Sequence, residues 1–97
     1  MKDFSELAGD FERQRLAFVH AELDTGATFA EIARTELTLG SEPRAGHNLA
    51  LAANACSEAR RRLGECDPHR MTDAFDSAVS KLKALETQIA ELQGKRG

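Results

Sequence analysis

The sequence predicts an all-α domain, built as a small antiparallel four-helix bundle, on three observations. Sheet formers are scarce: β-branched aliphatics are confined to Val19, Ile32, Val79 and Ile89, and the chain has neither Tyr nor Trp. Ala, Glu, Leu and Arg are abundant, and all favour helix. Apolar residues recur at spacings of three and four, and helix starts and stops divide the 97 residues into segments at about 4–24, 28–39, 42–63 and 72–93. The chain is short enough for one domain, 1–97, with 94–97 expected to fray.

Asp3 opens the first segment, and Glu6 stands three residues on, as in a capping box. Phe4, Leu7, Phe11, Phe18 and Ala21 form one stripe, broken by Gln14, while Leu16, Val19 and Leu23 form a second beside it. Two adjacent stripes predict a wide apolar face that touches two neighbouring helices. Gly9 weakens this helix, and Asp24-Thr25-Gly26 is expected to end it.

Thr28-Phe29-Ala30-Glu31 reads as a second capping box, followed by Phe29, Ile32, Ala33 and Leu37 facing inward. Gly40 closes that helix. Ser41 caps the third, and Pro43 falls in its first turn, where the missing donor costs nothing. Ala45, Leu49, Ala52, Ala53, Cys56 and Leu63 share a face, Arg60-Arg61-Arg62 complements the dipole at its end, and Gly64 stops it. After a connector holding Asp67-Pro68, the last helix begins at Thr72. Phe75, Ala78, Leu82, Leu85, Ile89 and Leu92 then step 3-4-3-4-3 as a heptad seam. The expected lengths are about 30 Å for the first, third and fourth helices and half that for the second.

The central hairpin resembles a tetratricopeptide repeat. Phe29 matches that family's aromatic, Ile32-Ala33 its aliphatic-small pair, Gly40 its turn glycine, and Ala45, Leu49 and Ala52 its second-helix positions. Glu36 stands where a tyrosine is usual, and Ser57 where the closing proline belongs. The pattern does not recur upstream or downstream, so this is a single tetratricopeptide-like hairpin, Phe29 to Ala52, flanked by two extra helices. A microtubule-interacting-and-trafficking-type three-helix domain is similar in outline. Either resemblance implies binding of a peptide or protein.

Charge and composition narrow the function classes. The net charge of −3, with both signs interspersed, argues against a dedicated nucleic-acid binder. The start MKDFSELAGDF lacks the basic-then-apolar run of a signal peptide, and no stretch approaches a membrane span. The expectation is therefore a cytoplasmic protein with reduced thiols at Cys56 and Cys66.

Candidate chemistry is sparse. Cys66-Asp67-Pro68-His69 is a lone C-x-x-H pair, with Cys56 and His47 elsewhere, whereas a structural zinc site needs four ligands in paired spacing. Cys56 reads as a small buried hydrophobe and Cys66 as an exposed thiol. Glu22, Asp24, Glu31 and Glu36 could cluster, but no acid precedes His20, His47 or His69 by three, as di-iron bundles require. Consecutive arginines at 60–62 point about 100° apart and make no phosphate patch by themselves. No residue is assigned a catalytic, cofactor-binding or metal-binding role, and no cofactor is expected.

The function expected is a non-enzymatic helical module that binds a protein or peptide, or pairs as a homodimer through its last helix. The rival is a small ligand-binding or enzymatic bundle with a dispersed polar site. A continuous apolar groove would favour the module, and a convergent polar cavity the rival.

Overall fold

A single helix, α1 (Phe4–Thr38), runs unbroken through the point where the first predicted helix was to end and the second to begin. Two further helices follow, α2 (Glu42–Leu63) and α3 (Thr72–Gly94), in a computed structural model that describes residues 3–96. The fold is all-α with three helices rather than four. Among the described residues there is no strand.

Gly26 explains the merger. It was read as a helix terminator, but it sits in mid-helix at the place where all three helices meet. A Cβ built on it would stand 2.9 Å from the Ala55 Cβ of α2, 2.9 Å from Leu85 Cδ2 of α3 and 3.5 Å from the Ala52 carbonyl oxygen. The residue is glycine because the neighbours leave no room, and close packing offsets its helix propensity cost of up to ~1 kcal/mol. Thr28 likewise does not cap. Its Oγ1 donates back to the Asp24 carbonyl at 3.1 Å, a bond that threonine makes inside a helix. Thr35 and Thr38 do the same to Glu31 and Arg34.

The expected stop at Gly40 is present. Gly40 adopts φ of +80°, the Ser41 N–H donates to the Glu36 carbonyl at 2.8 Å and the Gly40 N–H to Leu37 at 3.1 Å. Those two bonds form a Schellman motif, which requires the left-handed conformation that glycine adopts without strain. Ser41 occupies the N-cap of α2 but makes no side-chain cap bond, contrary to the sequence reading; its carbonyl accepts from the Ala45 N–H instead. Asp3 does cap α1, accepting from the Glu6 N–H at 2.9 Å. Gly64 ends α2 and Thr72 begins α3, both as expected.

Side-chain pairs fix the topology. Arg15 reaches the Glu65 carbonyl, Gly26 meets Ala55 and Glu36 meets Asn48, so α2 runs antiparallel to α1. Lys81 pairs with Asp24 and Gln88 with Glu31, so α3 runs parallel to α1. Arg60 holds Glu86, and Glu42 pairs with Arg96, across antiparallel α2 and α3. Arg96 also lies over Gly46; of the stretch 94–97 expected to fray, Gly97 lies outside the described residues.

The core is the second stripe of α1 (Leu16, Val19, Leu23, then Ala30 and Ala33), the small face of α2 and the heptad seam of α3. On α2 the buried set is Ala45, Leu49, Ala52, Ala55, Cys56, Ala59 and Leu63. Ala55 and Ala59 replace the expected Ala53, which is half-buried. On α3, Ala78, Leu82, Leu85, Ile89 and Leu92 are buried and Phe75 packs against them. The seam covers the hairpin, as expected, and packs within one copy along its length from Phe75 to Leu92.

The merger also changes the lengths. With 35 residues α1 is about 52 Å long, against about 33–35 Å for α2 and α3 with 22 and 23. The particle measures 57 × 20 × 16 Å. The first turns of α1 therefore project past the other two helices.

Candidate functional site

The residues singled out for chemistry are dispersed. The Cys66 thiol, read as exposed, is 8% exposed: the connector folds it under α1, and its Sγ donates to the Arg62 carbonyl. Cys56 is buried on α2 as expected, and both cysteines are free. Burial pushes both thiols up, with the Glu86 carboxylate adding to the effect at Cys56 and Glu12 at Cys66. Neither has the thiolate character of a nucleophile. His47 and His69 are exposed; the His69 N–H donates to the Asp67 carboxylate in a connector turn. Among the described residues, no three His, Cys, Asp or Glu side chains come together as a metal site would need.

Three of the four acids of the possible cluster have separate partners. Asp24 accepts from Lys81 at 2.9 Å, and this hydrogen bond holds its carboxyl below the usual range. Lys81 also lies 3.3 Å from His20 Nδ1. Glu31 binds Arg34 and Gln88, and Glu36 binds Asn48. Glu22 is half-buried and was not brought into any such group. The three arginines form no common patch: Arg60 turns to α3, while Arg61 and Arg62 both pair with Glu58 on α2. Arg60 takes both oxygens of Glu86 at 2.7 Å, and Arg61 takes Glu58 and Glu65. Arg62 lies over the Phe18 ring, 4.5 Å from its centroid.

The buried polar side chain is one that the sequence did not single out. Glu12, 6% exposed, accepts from the Asp67 N–H at 3.0 Å through one oxygen and from Arg15 at 2.9 Å through the other. It pins the α2–α3 connector to α1. That role is structural.

The feature that stands out is apolar. Phe4, Leu7, Phe11 and Phe18, expected in the core, are 87, 42, 59 and 55% exposed. With Gln14 and Ala21 they step 3-4-3-4-3 along one line of α1, turned away from the Leu16–Val19–Leu23 face. A shallow depression of about 390 Å³ lies along this line, bordered by Gln14, Ala17, Phe18 and Ala21. Its walls are mostly apolar, and the Arg62 guanidinium from α2 lies over the Phe18 ring. The Arg62 Nε is buried without a hydrogen-bond partner.

The inner stripe supplies the core. Among the described residues the outer stripe is covered only in part, by Arg62 over Phe18, because the packed faces of α2 and α3 lie on the other side of α1 and stop short of its first turns. The sequence carried one signal of this, Gln14 in the middle of the outer stripe, where a core position would be apolar. No family model, curated protein or solved structure matches the chain. The fold and this surface are therefore the basis for assigning a function.

Among the described residues, no helix is long and apolar enough to cross a membrane.

Proposed function

We propose that this chain is a non-enzymatic helical interaction module whose docking surface is the outer stripe of α1. The observation that carries this reading is the exposure of Phe4, Leu7, Phe11 and Phe18 on one heptad-spaced line. Scattered exposed apolar residues are ordinary on a soluble protein, but three phenylalanines in register on one helix form a contiguous patch of the kind that marks a protein contact. The geometry suits an amphipathic partner helix laid alongside α1, with its own anchors at matching spacing.

The tetratricopeptide-like pattern supports the same class of function. The second half of α1 and α2 form a close hairpin with Phe29 packed on the core, Ala33 buried, Gly40 at the turn and Ala45, Leu49 and Ala52 buried in contact. Ile32 of that pattern is exposed. The three-helix outline is also that of the microtubule-interacting-and-trafficking-type domain. Both likenesses point to peptide or protein recognition, and the free thiols fit a reducing, cytoplasmic setting. The dispersed acids and histidines give the rival enzymatic reading no convergent cavity to rest on.

The test is a comparison of captured partners. Phe4→Ser with Phe11→Ser leaves the buried core untouched, so the variant should keep its helical spectrum and melting temperature. Proteins retained by the wild-type chain should be lost by this variant. An identical set retained by both would overturn the reading.

A further inference from the structure

We infer that the outer stripe of α1 pairs with the same stripe on a second copy of this chain, the two helices lying antiparallel. This rests on the docking surface proposed above and names its occupant.

The stripe is self-complementary when reversed. Phe4, Leu7, Phe11, Gln14, Phe18 and Ala21 alternate as the two seam positions of a heptad. Placed antiparallel about a twofold between Phe11 and Gln14, Phe4 of one copy faces Ala21 of the other. Leu7 then faces Phe18, and Phe11 faces Gln14. Each large side chain meets a smaller one, and each contact occurs twice, as an isologous interface requires. Gln14 falls next to the twofold, where a polar seam residue sets the register.

The area is of the right order. The exposed parts of the three phenylalanine rings come to roughly 400 Å² per copy. With Leu7, Gln14, Ala17 and Ala21 beside them, two copies approach the ~1,200 Å² total at which specific interfaces begin. That predicts a reversible dimer. It also gives tertiary cover to the projecting turns of α1.

Sedimentation equilibrium of the full chain from 1 µM to 1 mM tests the pairing. The wild type should pass from monomer to dimer, and Phe11→Asp should weaken dimerisation at least about thirtyfold, as loss of an interface hot spot does, with an unchanged helical spectrum. Direction is read by cysteine crosslinking: Leu7→Cys mixed with Phe18→Cys should give a 7–18 disulfide between copies. A wild type that stays monomeric at 1 mM, or a dimer indifferent to Phe11→Asp, would overturn the inference. A 7–7 disulfide from Leu7→Cys alone would overturn the antiparallel arrangement. A monomeric wild type that still loses captured partners on Phe4→Ser with Phe11→Ser refutes the second copy as occupant while the docking reading stands. Partners retained regardless of the stripe refute that reading itself.

Discussion

Gly26 of α1 and Ala55 of α2 sit so close that a methyl group on Gly26 would come within 2.9 Å of the Ala55 Cβ. Leu85 could rotate away, since its Cδ2 ends a flexible side chain. The Ala55 Cβ cannot move without moving α2. This contact sets how closely the two helices approach, and three elements depend on it.

Gly26→Ala should therefore destabilise the protein although alanine is the better helix former. Propensity offers up to ~1 kcal/mol, and overpacking a dense core costs ~1–3 kcal/mol, so the net loss should be up to about 2 kcal/mol. At about 4–8 °C per kcal/mol for a chain of this size, the melting temperature should fall visibly. Gly9→Ala is the control. Nothing lies within 4 Å of a Cβ there, so only propensity acts and the melting temperature should rise. Equal shifts for the two variants would show that Gly26 is not a contact point.

The same residue marks where the sequence could be read and where it could not. Local signals identified α2, the start of α3 and the turn at Gly40, because caps, Pro43 and the heptad seam act within a few residues of themselves. Asp24-Thr25-Gly26 followed by Thr28 carries equally good local signals for a break. The reason it does not break lies in residues 52, 55 and 85, distant in sequence, whose closeness decides that glycine serves packing rather than capping. The outer stripe was misplaced for a related reason. Its spacing shows that Phe4, Leu7, Phe11 and Phe18 share a line, but which of two adjacent lines faces the core depends on where α2 and α3 end. The choice of Leu16, Val19 and Leu23 as core follows from the hairpin register.

Glu12 offers a second test of a feature with no local signature. Glu12→Ala removes the carboxylate acceptor of the Asp67 N–H, a hydrogen bond to a charged group worth about 1.5–3 kcal/mol. Glu12→Gln retains one carbonyl oxygen for the same bond and should recover most of the loss. Urea unfolding of the two variants separates them. If both lose stability equally, the connector is held by charge with Arg15 rather than by the bond to Asp67.

The thiols should be slow to react in the native state. Burial is the larger cause of the raised pKa at both Cys56 and Cys66, so at pH 8 each has less thiolate than a free cysteine, whose ordinary value is 9.0. The linkage has a definite sign. A folded pKa raised above 9.0 gives stability that is fully present below 9.0 and declines as pH rises through the folded value, because the unfolded chain ionises first. Modification by a thiol reagent at pH 8 should be slow for both residues and accelerate in denaturant. Rapid native labelling of Cys66 would show that the connector opens readily.

The last prediction concerns the end of α3. Ile89 and Leu92 are buried in the monomer, and Leu92 belongs to the same core as Leu37 of α1. Truncation after Glu86 removes both, along with the Gln88–Glu31 bond and the Arg96–Glu42 ion pair. The exposed pairs contribute little, since surface ion pairs are worth ~0–1 kcal/mol. The two side chains decide the outcome: at about 1.5–3 kcal/mol each for burial, their loss takes roughly 3–6 kcal/mol from a domain whose total stability is of order 5–15 kcal/mol. The truncated chain should lose cooperative melting or melt far below the full-length protein, as circular dichroism would show. The point substitution Leu92→Ala should give an intermediate loss of about 2–5 kcal/mol. A truncation that melts with the full-length midpoint would mean that the far end of α3 contributes nothing to the fold, and that its seam is free for a partner.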